Sequence, residues 1–321
     1  MDSLIPLTRL EYQGDLAPLI LEICQAYQIG SPLRHSVIEF GFEDCNVVIE
    51  TAKGKFVAKI FAKSRTAEHI ARWASMMEQV MTHGVNHPAL SKTKEGKIVL
   101  TLEAFSNTSL ALMAFVEGKT FYELDRPPTP LERKSVIEQA ALINRIDHHP
   151  SPLFDSWAIP NIRVMFEQVT DFMAAEDRTM VEKVIAQYAE IPVDALPHAF
   201  VHGDFTKGNI LKGDDGKMYI LDFSVSNWYP CIQEIAVIAA NLLYDKTGGM
   251  PLRETCEIVA NEYSAFNPLT VEERQWFYPY TLAGIAMEFM GSLREKHLTG
   301  NDTPEADYWL KLGREGLKRE L

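Results

Sequence analysis

Basic charge is scarce in this 321-residue chain: 31 Lys and Arg stand against 44 Asp and Glu, a formal net charge of −13. Nucleic-acid binding draws on basic clusters that displace counterions from phosphate, so no nucleic-acid partner is expected. Long apolar runs are missing as well. The best stretch, Ile235 to Tyr244, contains Asn241 and is too short for a membrane span, which takes roughly 18–20 apolar residues, so no membrane partner is expected either. Cysteines number four, Cys24, Cys45, Cys231 and Cys256, isolated from one another with neither C-x-x-C nor Cys/His ligand spacing. That pattern speaks against a disulfide framework or a zinc site, and reduced core thiols are expected. Met1-Asp2-Ser3 lacks the basic segment and apolar run of a signal peptide, so a cytoplasmic location is the expectation. The 46% hydrophobic and 23% charged residues are the make-up of an ordinary globular protein with one large or two medium domains.

What is present is concentrated between Val201 and Ser224, which reads V-H-G-D-F-T-K-G-N-I-L-K-G-D-D-G-K-M-Y-I-L-D-F-S. Asp204, Asn209 and Asp222 fall at intervals of five and thirteen residues. A kinase needs a carboxylate near the attacking hydroxyl and hard oxygen ligands for magnesium, and this set supplies both. The apolar-rich runs Ile210-Leu211-Lys212 and Met218-Tyr219-Ile220-Leu221 flank Gly213-Asp214-Asp215-Gly216-Lys217, a hairpin signal. A hairpin returns the chain to its start, so Asn209 and Asp222 are expected side by side.

His202-Gly203-Asp204, Asn209 and Leu221-Asp222-Phe223 together resemble the aminoglycoside phosphotransferase and choline kinase group. The resemblance implies an α+β, bilobal protein-kinase-like fold, with a small antiparallel-sheet N-lobe (1–117) and a larger, mainly helical C-lobe (118–321). It implies ATP and Mg²⁺ as cofactors, Asp204 as catalytic base and Asn209 with Asp222 as metal ligands. His202 then braces the loop, and Lys207 either touches the γ-phosphate or lies exposed.

The order of elements agrees with that frame. A helix about Leu16–Tyr27 is followed by β-rich runs at His35–Phe40, Cys45–Glu50 and Lys55–Phe61, with Thr51-Ala52-Lys53-Gly54 as a hairpin turn. A helix over Thr66–Thr82 and strands at Lys97–Ala104 and Leu110–Phe115 complete a kinase-like amino-terminal lobe. Thr129 as N-cap, Pro130 at the first helical position and Glu132 three residues after the cap open the helical half, and Thr303-Pro304-Glu305 opens its last helix.

Phe56-Val57-Ala58-Lys59-Ile60 looks like the third strand of such a lobe, where the lysine contacts the ATP phosphates. Val57, Lys59 and Phe61 share one face by alternation, and a lysine among apolar residues needs an ionic partner. That partner is expected on the following helix, as Glu78, which borders the apolar stripe, or Glu68. Asn46 matches a position before the second strand from which nearby amides face the phosphates. Leu112–Gly118 resembles the hinge, with Met113 lining the base pocket and Ala114 and Val116 offering backbone groups to adenine; as a bare apolar run it is equally a core strand.

The closest branch in appearance is the bacterial homoserine kinase of this fold, through Phe42–Asn46, Met113–Gly118 and Asn267-Pro268-Leu269-Thr270. Where that branch tends to read Arg-Phe in a late helix, this chain has Glu288-Phe289. Trp228, Tyr229, Glu234 and Glu288 are the substrate-side candidates, Trp and Tyr through cation–π attraction to an ammonium group. The expected activity is ATP-dependent phosphorylation of a small-molecule alcohol: homoserine, an amino sugar, or a choline-like or aminoglycoside-like compound. The rivals are a catalytically silent kinase-like module that binds nucleotide for regulation and a protein-directed kinase.

Overall fold

Strict alternation builds the first sheet: in the second strand, Cys45–Thr51, every other residue is buried. The computed structural model describes residues 7, 10, 14–39 and 44–321, the side chain of Glu305 excepted, so the Phe40-Gly41-Phe42-Glu43 part of the first hairpin lies outside the described residues. Strands β1 (Pro32–Ile38), β2 (Cys45–Thr51), β3 (Gly54–Ile60), β4 (Val99–Leu102) and β5 (Thr108–Ala114) form an antiparallel sheet in the order β1-β2-β3-β5-β4. Val47, Ile49, Ala58, Ile60, Leu110 and Leu112 on one face pack with Leu19, Ile20 and Ile23 of helix α1 (Leu16–Ala26) into an apolar core. The register Asn46↔Lys59, Lys59↔Ala111 and Val57↔Met113 puts Asn46, Val57, Lys59, Ala111 and Met113 together on the other face. Helix α2 (Ala67–Thr82) turns Trp73, Met76, Met77 and Val80 inward, with Trp73 edge-on to Phe61 at 5.2 Å. The strand expected over Lys97–Ala104 is shorter, because Glu103–Phe105 coils into a 3₁₀ turn and Ser106 and Asn107 take left-handed conformations.

These elements belong to one of two compact units, which includes the described residues up to Thr82 and His87–Gly118; the other contains His83–Asn86 and Lys119–Leu321. The short strand Gly118–Thr120 (β6) spans the boundary in sequence. In the second unit, α3 (Phe121–Leu124) precedes α4 (Pro130–Ile143), which begins where the sequence places it. Glu132 N donates to Thr129 Oγ1 at 3.4 Å and Thr129 N to Glu132 Oε2 at 2.8 Å, the reciprocal bonds of a capping box. Helices α5 (Ile162–Val169) and α6 (Ala175–Tyr188) lead into strands β7 (His198–Val201), β8 (Ile210–Gly213), β9 (Met218–Ile220) and β10 (Asn227–Pro230).

Helix α7 (Ile232–Val237) continues into a π-helical segment, Ile238–Leu243, and is followed by α8 (Leu252–Ser264). Helix α9 (Val271–Arg294) is buried on every side from Tyr280 to Leu293, which makes it the centre of this unit. Helix α10 (Pro304–Glu320) lies against it through glycine: a Cβ on Gly313 would fall 2.6 Å from Phe289 N, so only a bare Cα fits. Among the described residues no helix is long and apolar enough to cross a membrane, and no disulfide forms.

Candidate active site

Two strand pairs of the second unit hold the Asp204 loop. Strand β7 pairs antiparallel with β10, Val201 opposite Asn227, so the chain that leaves at His202 is fixed again 25 residues on. Between them the β8–β9 hairpin forms as expected, Ile210 opposite Ile220, its turn closed by Gly213 N on Lys217 O at 2.9 Å. Extended one residue, the hairpin gives the bond from Leu221 N to Asn209 O at 2.9 Å, which brings Asp222 beside Asn209.

Hydrogen bonds fix each polar group in turn. Asn209 Nδ2 donates to the carbonyl and the carboxylate of Asp204, which orients the amide with its oxygen turned the other way. Asp222 adopts φ 55, a left-handed conformation uncommon outside glycine, and its Oδ1 accepts from Ser224 N at 3.1 Å and from Ser224 Oγ. His202 is fully buried between Phe205 and Phe223. Its Nδ1 accepts the Asp204 N–H at 3.1 Å, so Nε2 carries the proton and donates to the Leu221 carbonyl at 2.8 Å. Burial pushes this imidazole down to about 4, which keeps it neutral. It is a brace that ties the Asp204 loop to the Asp222 loop.

Glu234 is the second brace. It lies in the first turn of α7, fully buried, with Oε1 accepting from His202 N at 2.8 Å and Oε2 from Gly203 N at 2.9 Å. Burial raises its carboxyl to about 8, against the opposing pull of those two N–H groups. Gly203 makes this clamp possible by turning at φ 86. The residue expected to meet substrate is thus turned into the Asp204 loop, which carries backbone donors that need an acceptor.

Trp228 and Tyr229 are likewise committed. His149 stacks on the Trp228 indole at 3.5 Å and 22°, covering one of the faces a cation would need, and Tyr229 Oη accepts from Asn227 Nδ2 at 3.0 Å. Glu288 is buried in α9 and ion-paired with Lys246, whose side chain is also buried.

The ionic partner expected for Lys59 on α2 is found elsewhere. Lys59 Nζ pairs with Asp44 at 2.9 Å, with side chains 5% and 1% exposed. Asp44 also accepts from Ala62 N at 3.0 Å and from Arg65. Glu78 and Glu68 are exposed because the inward face of α2 is taken by Trp73, Met76, Met77 and Val80. Asp44 was legible from the hairpin: Thr51↔Gly54 propagates to Asn46↔Lys59, and two residues further Asp44 shares that face. At the expected hinge, the Ala114 N–H is bonded to the Ala89 carbonyl at 2.8 Å, so this amide is not on offer to a base. The Val116 amide has no intramolecular partner among the described residues, and Met113 shares the Lys59 face of the sheet.

The family model described as "Phosphotransferase enzyme family", or APH, matches residues 35–269. The chain belongs to this family. It is therefore an enzyme, a small-molecule phosphotransferase with an alcohol group as acceptor. A homoserine kinase of Rhodopseudomonas palustris strain BisA53 is 32% identical over 291 residues, covering 86% of this chain and 82% of the relative. One from Phenylobacterium zucineum is 23% identical over 293 residues, covering 89% and 86%. Among solved structures, a spectinomycin phosphotransferase in complex with ADP and spectinomycin superposes with a TM-score of 0.69 at 12% identity, covering 96% of this chain and all of that one. Choline kinase LicA of Streptococcus pneumoniae gives 0.61 at 14%, covering 94% and 98%. These likenesses show the expected protein-kinase-like fold.

Proposed function

We propose that this phosphotransferase moves the γ-phosphoryl group of Mg-ATP to the hydroxyl of a small acceptor, drawn from the homoserine, amino-sugar, choline-like or aminoglycoside-like alcohols. The observation that carries the reading is the Asp204–Asn209–Asp222 cluster, held by one neutral histidine and one buried glutamate. Asp204 is the base. It takes the acceptor's hydroxyl proton as the oxygen–phosphorus bond forms and the bond from the γ-phosphorus to the β,γ-bridging oxygen breaks, releasing ADP.

The donor set suits magnesium: an amide oxygen from Asn209, oriented by its Nδ2 bonds to Asp204, and the carboxylate of Asp222 are hard oxygen ligands. A cation held there would neutralise phosphate charge during transfer. Lys59, ion-paired with Asp44, is assigned to the α- and β-phosphates, and Asn46, Met113 and the Val116 amide to the nucleotide. His202 is excluded as the base because it is fully buried, its Nδ1 lone pair is taken by the Asp204 N–H and its Nε2 carries the proton bonded to the Leu221 carbonyl.

ADP release measured with Mg-ATP across homoserine, glucosamine, ethanolamine, choline and an aminoglycoside, with Asp204→Asn as control, tests the reading. Turnover of at least one acceptor that the variant loses supports it. ATP binding without phosphorylation of any acceptor would overturn it.

A further inference from the structure

Glu288 is a carboxylate in the otherwise apolar run Leu282–Met290, and the mechanism above does not use it. One of its oxygens bonds Lys246 Nζ; the other, Oε1, is buried with no hydrogen-bond partner. A buried acceptor left unsatisfied is costly, which marks it as a place for a donor from outside the protein. Lys246 is fixed from behind: Gly316 of α10 packs against its side chain, where a Cβ would come within 3.3 Å of Lys246 Cγ and Cδ, and Arg319 donates to the carbonyls of Gly249 and Met250 in the same loop.

The third charge stands on the catalytic loop. Lys207, three residues after Asp204, is half-buried, has no ion pair among the described residues and lies within electrostatic reach of both Lys246 and Glu288. Its carbonyl is held by the Tyr122 N–H at 3.0 Å, and Tyr122 packs edge-on against Tyr308 of α10, which also feels Glu288. The catalytic loop, α3, α9, α10 and the Lys246 loop thus converge on one group of charges. That group carries one negative and two positive members. A purely cationic acceptor would meet the unpaired Lys207, and a purely anionic one would leave Glu288 Oε1 unsatisfied.

We infer that Glu288 and Lys207 are the two poles of the acceptor site and that the acceptor alcohol is zwitterionic, its ammonium N–H donating to Glu288 Oε1 and its carboxylate pairing with Lys207. Lys246 is the positioning residue that holds Glu288. A quaternary ammonium, having no N–H, does not satisfy Oε1. The inference rests on the kinase reading for the location of the reacting hydroxyl.

Three probes isolate the poles: L-homoserine carries both charges, 4-hydroxybutyrate lacks the ammonium and 3-amino-1-propanol lacks the carboxylate. Dissociation constants come from calorimetry with a non-hydrolysable Mg-ATP analogue, and kcat/KM from ADP release. Each charge-assisted bond contributes about tenfold or more, so L-homoserine is expected to exceed each truncated probe by at least that factor. Glu288→Gln is expected to collapse the homoserine to 4-hydroxybutyrate ratio to within about threefold while leaving the other ratio, and Lys207→Met to do the reverse. Because Glu288→Gln strands Lys246, the Glu288→Gln/Lys246→Met double variant is measured beside it, with the same collapse expected. A ratio near one in the wild-type protein, or ratios that the variants do not move selectively, overturns the inference. Binding with these preferences but no turnover would sink the kinase reading and leave the two poles standing.

Discussion

Replacing Glu234 by glutamine changes one atom of the clamp on the Asp204 loop, and its consequence depends on pH. The carboxyl accepts the His202 N–H at one oxygen and the Gly203 N–H at the other, and in glutamine one of those two atoms becomes an NH₂ that donates and cannot accept. The stranded buried N–H costs about 1–3 kcal/mol at acid pH, where the carboxyl is neutral. As pH rises the comparison shifts. In the unfolded chain this carboxyl loses its proton near 4.5, whereas in the folded protein it keeps it until about 8. Between those values the unfolded state binds fewer protons, so wild-type stability falls with pH; glutamine has no such dependence. From pH 5 to pH 8 the stability of Glu234→Gln relative to wild type should therefore rise by about 3–4 kcal/mol, closing or reversing its initial deficit. Urea unfolding followed by tryptophan fluorescence at pH 5, 6.5 and 8 reads this directly, and the His202 contribution cancels in the difference. kcat should fall at every pH, because the loop bearing Asp204 is released on one side. A stability difference constant across pH, or a variant with wild-type kcat, would refute the reasoning.

Other outcomes follow from the same contacts. His202 is held at about 4, below its ordinary 6.5, so it contributes stability that is fully present above pH 6.5 and is lost as pH falls toward 4, up to about 3 kcal/mol; His202→Gln should flatten that part of the stability profile. Asp44→Asn strands the buried Lys59 and should lower stability by about 3–5 kcal/mol and raise the KM for ATP, while Glu78→Gln should stay within about 0.5 kcal/mol of wild type in the same unfolding assay. Gly313→Ala drives a Cβ against the Phe289 backbone and should cost about 1–3 kcal/mol, read as a lower Tm.

The Asp204–Asn209–Asp222 cluster was legible because it is local. Asp204, Asn209 and Asp222 lie within nineteen residues, and one hairpin with a glycine turn brings them together. The capping box at Thr129 and the two hairpins were legible for the same reason: short-range chemistry decides them. Glu78 misled because helical periodicity locates the border of an apolar stripe but not what faces it, whereas strand register pointed to Asp44. Glu234 and Glu288 looked alike as acidic candidates for the substrate side. Only the fold separates them, one turned into the Gly203 amides and one onto Lys246, which nothing in the local sequence links to position 288. Trp228 shows the same limit, since the residue that covers its indole, His149, is 79 positions away.

The most direct test of the central claim is the appearance of a phosphomonoester, followed by ³¹P NMR with Mg-ATP and L-homoserine, in wild type and Asp204→Asn. The account predicts ADP and phosphorylated acceptor in equal amounts from the wild-type protein, a rate at least about 100-fold lower in the variant, and nucleotide affinity retained by both. Phosphorylation that persists unchanged in Asp204→Asn would contradict it.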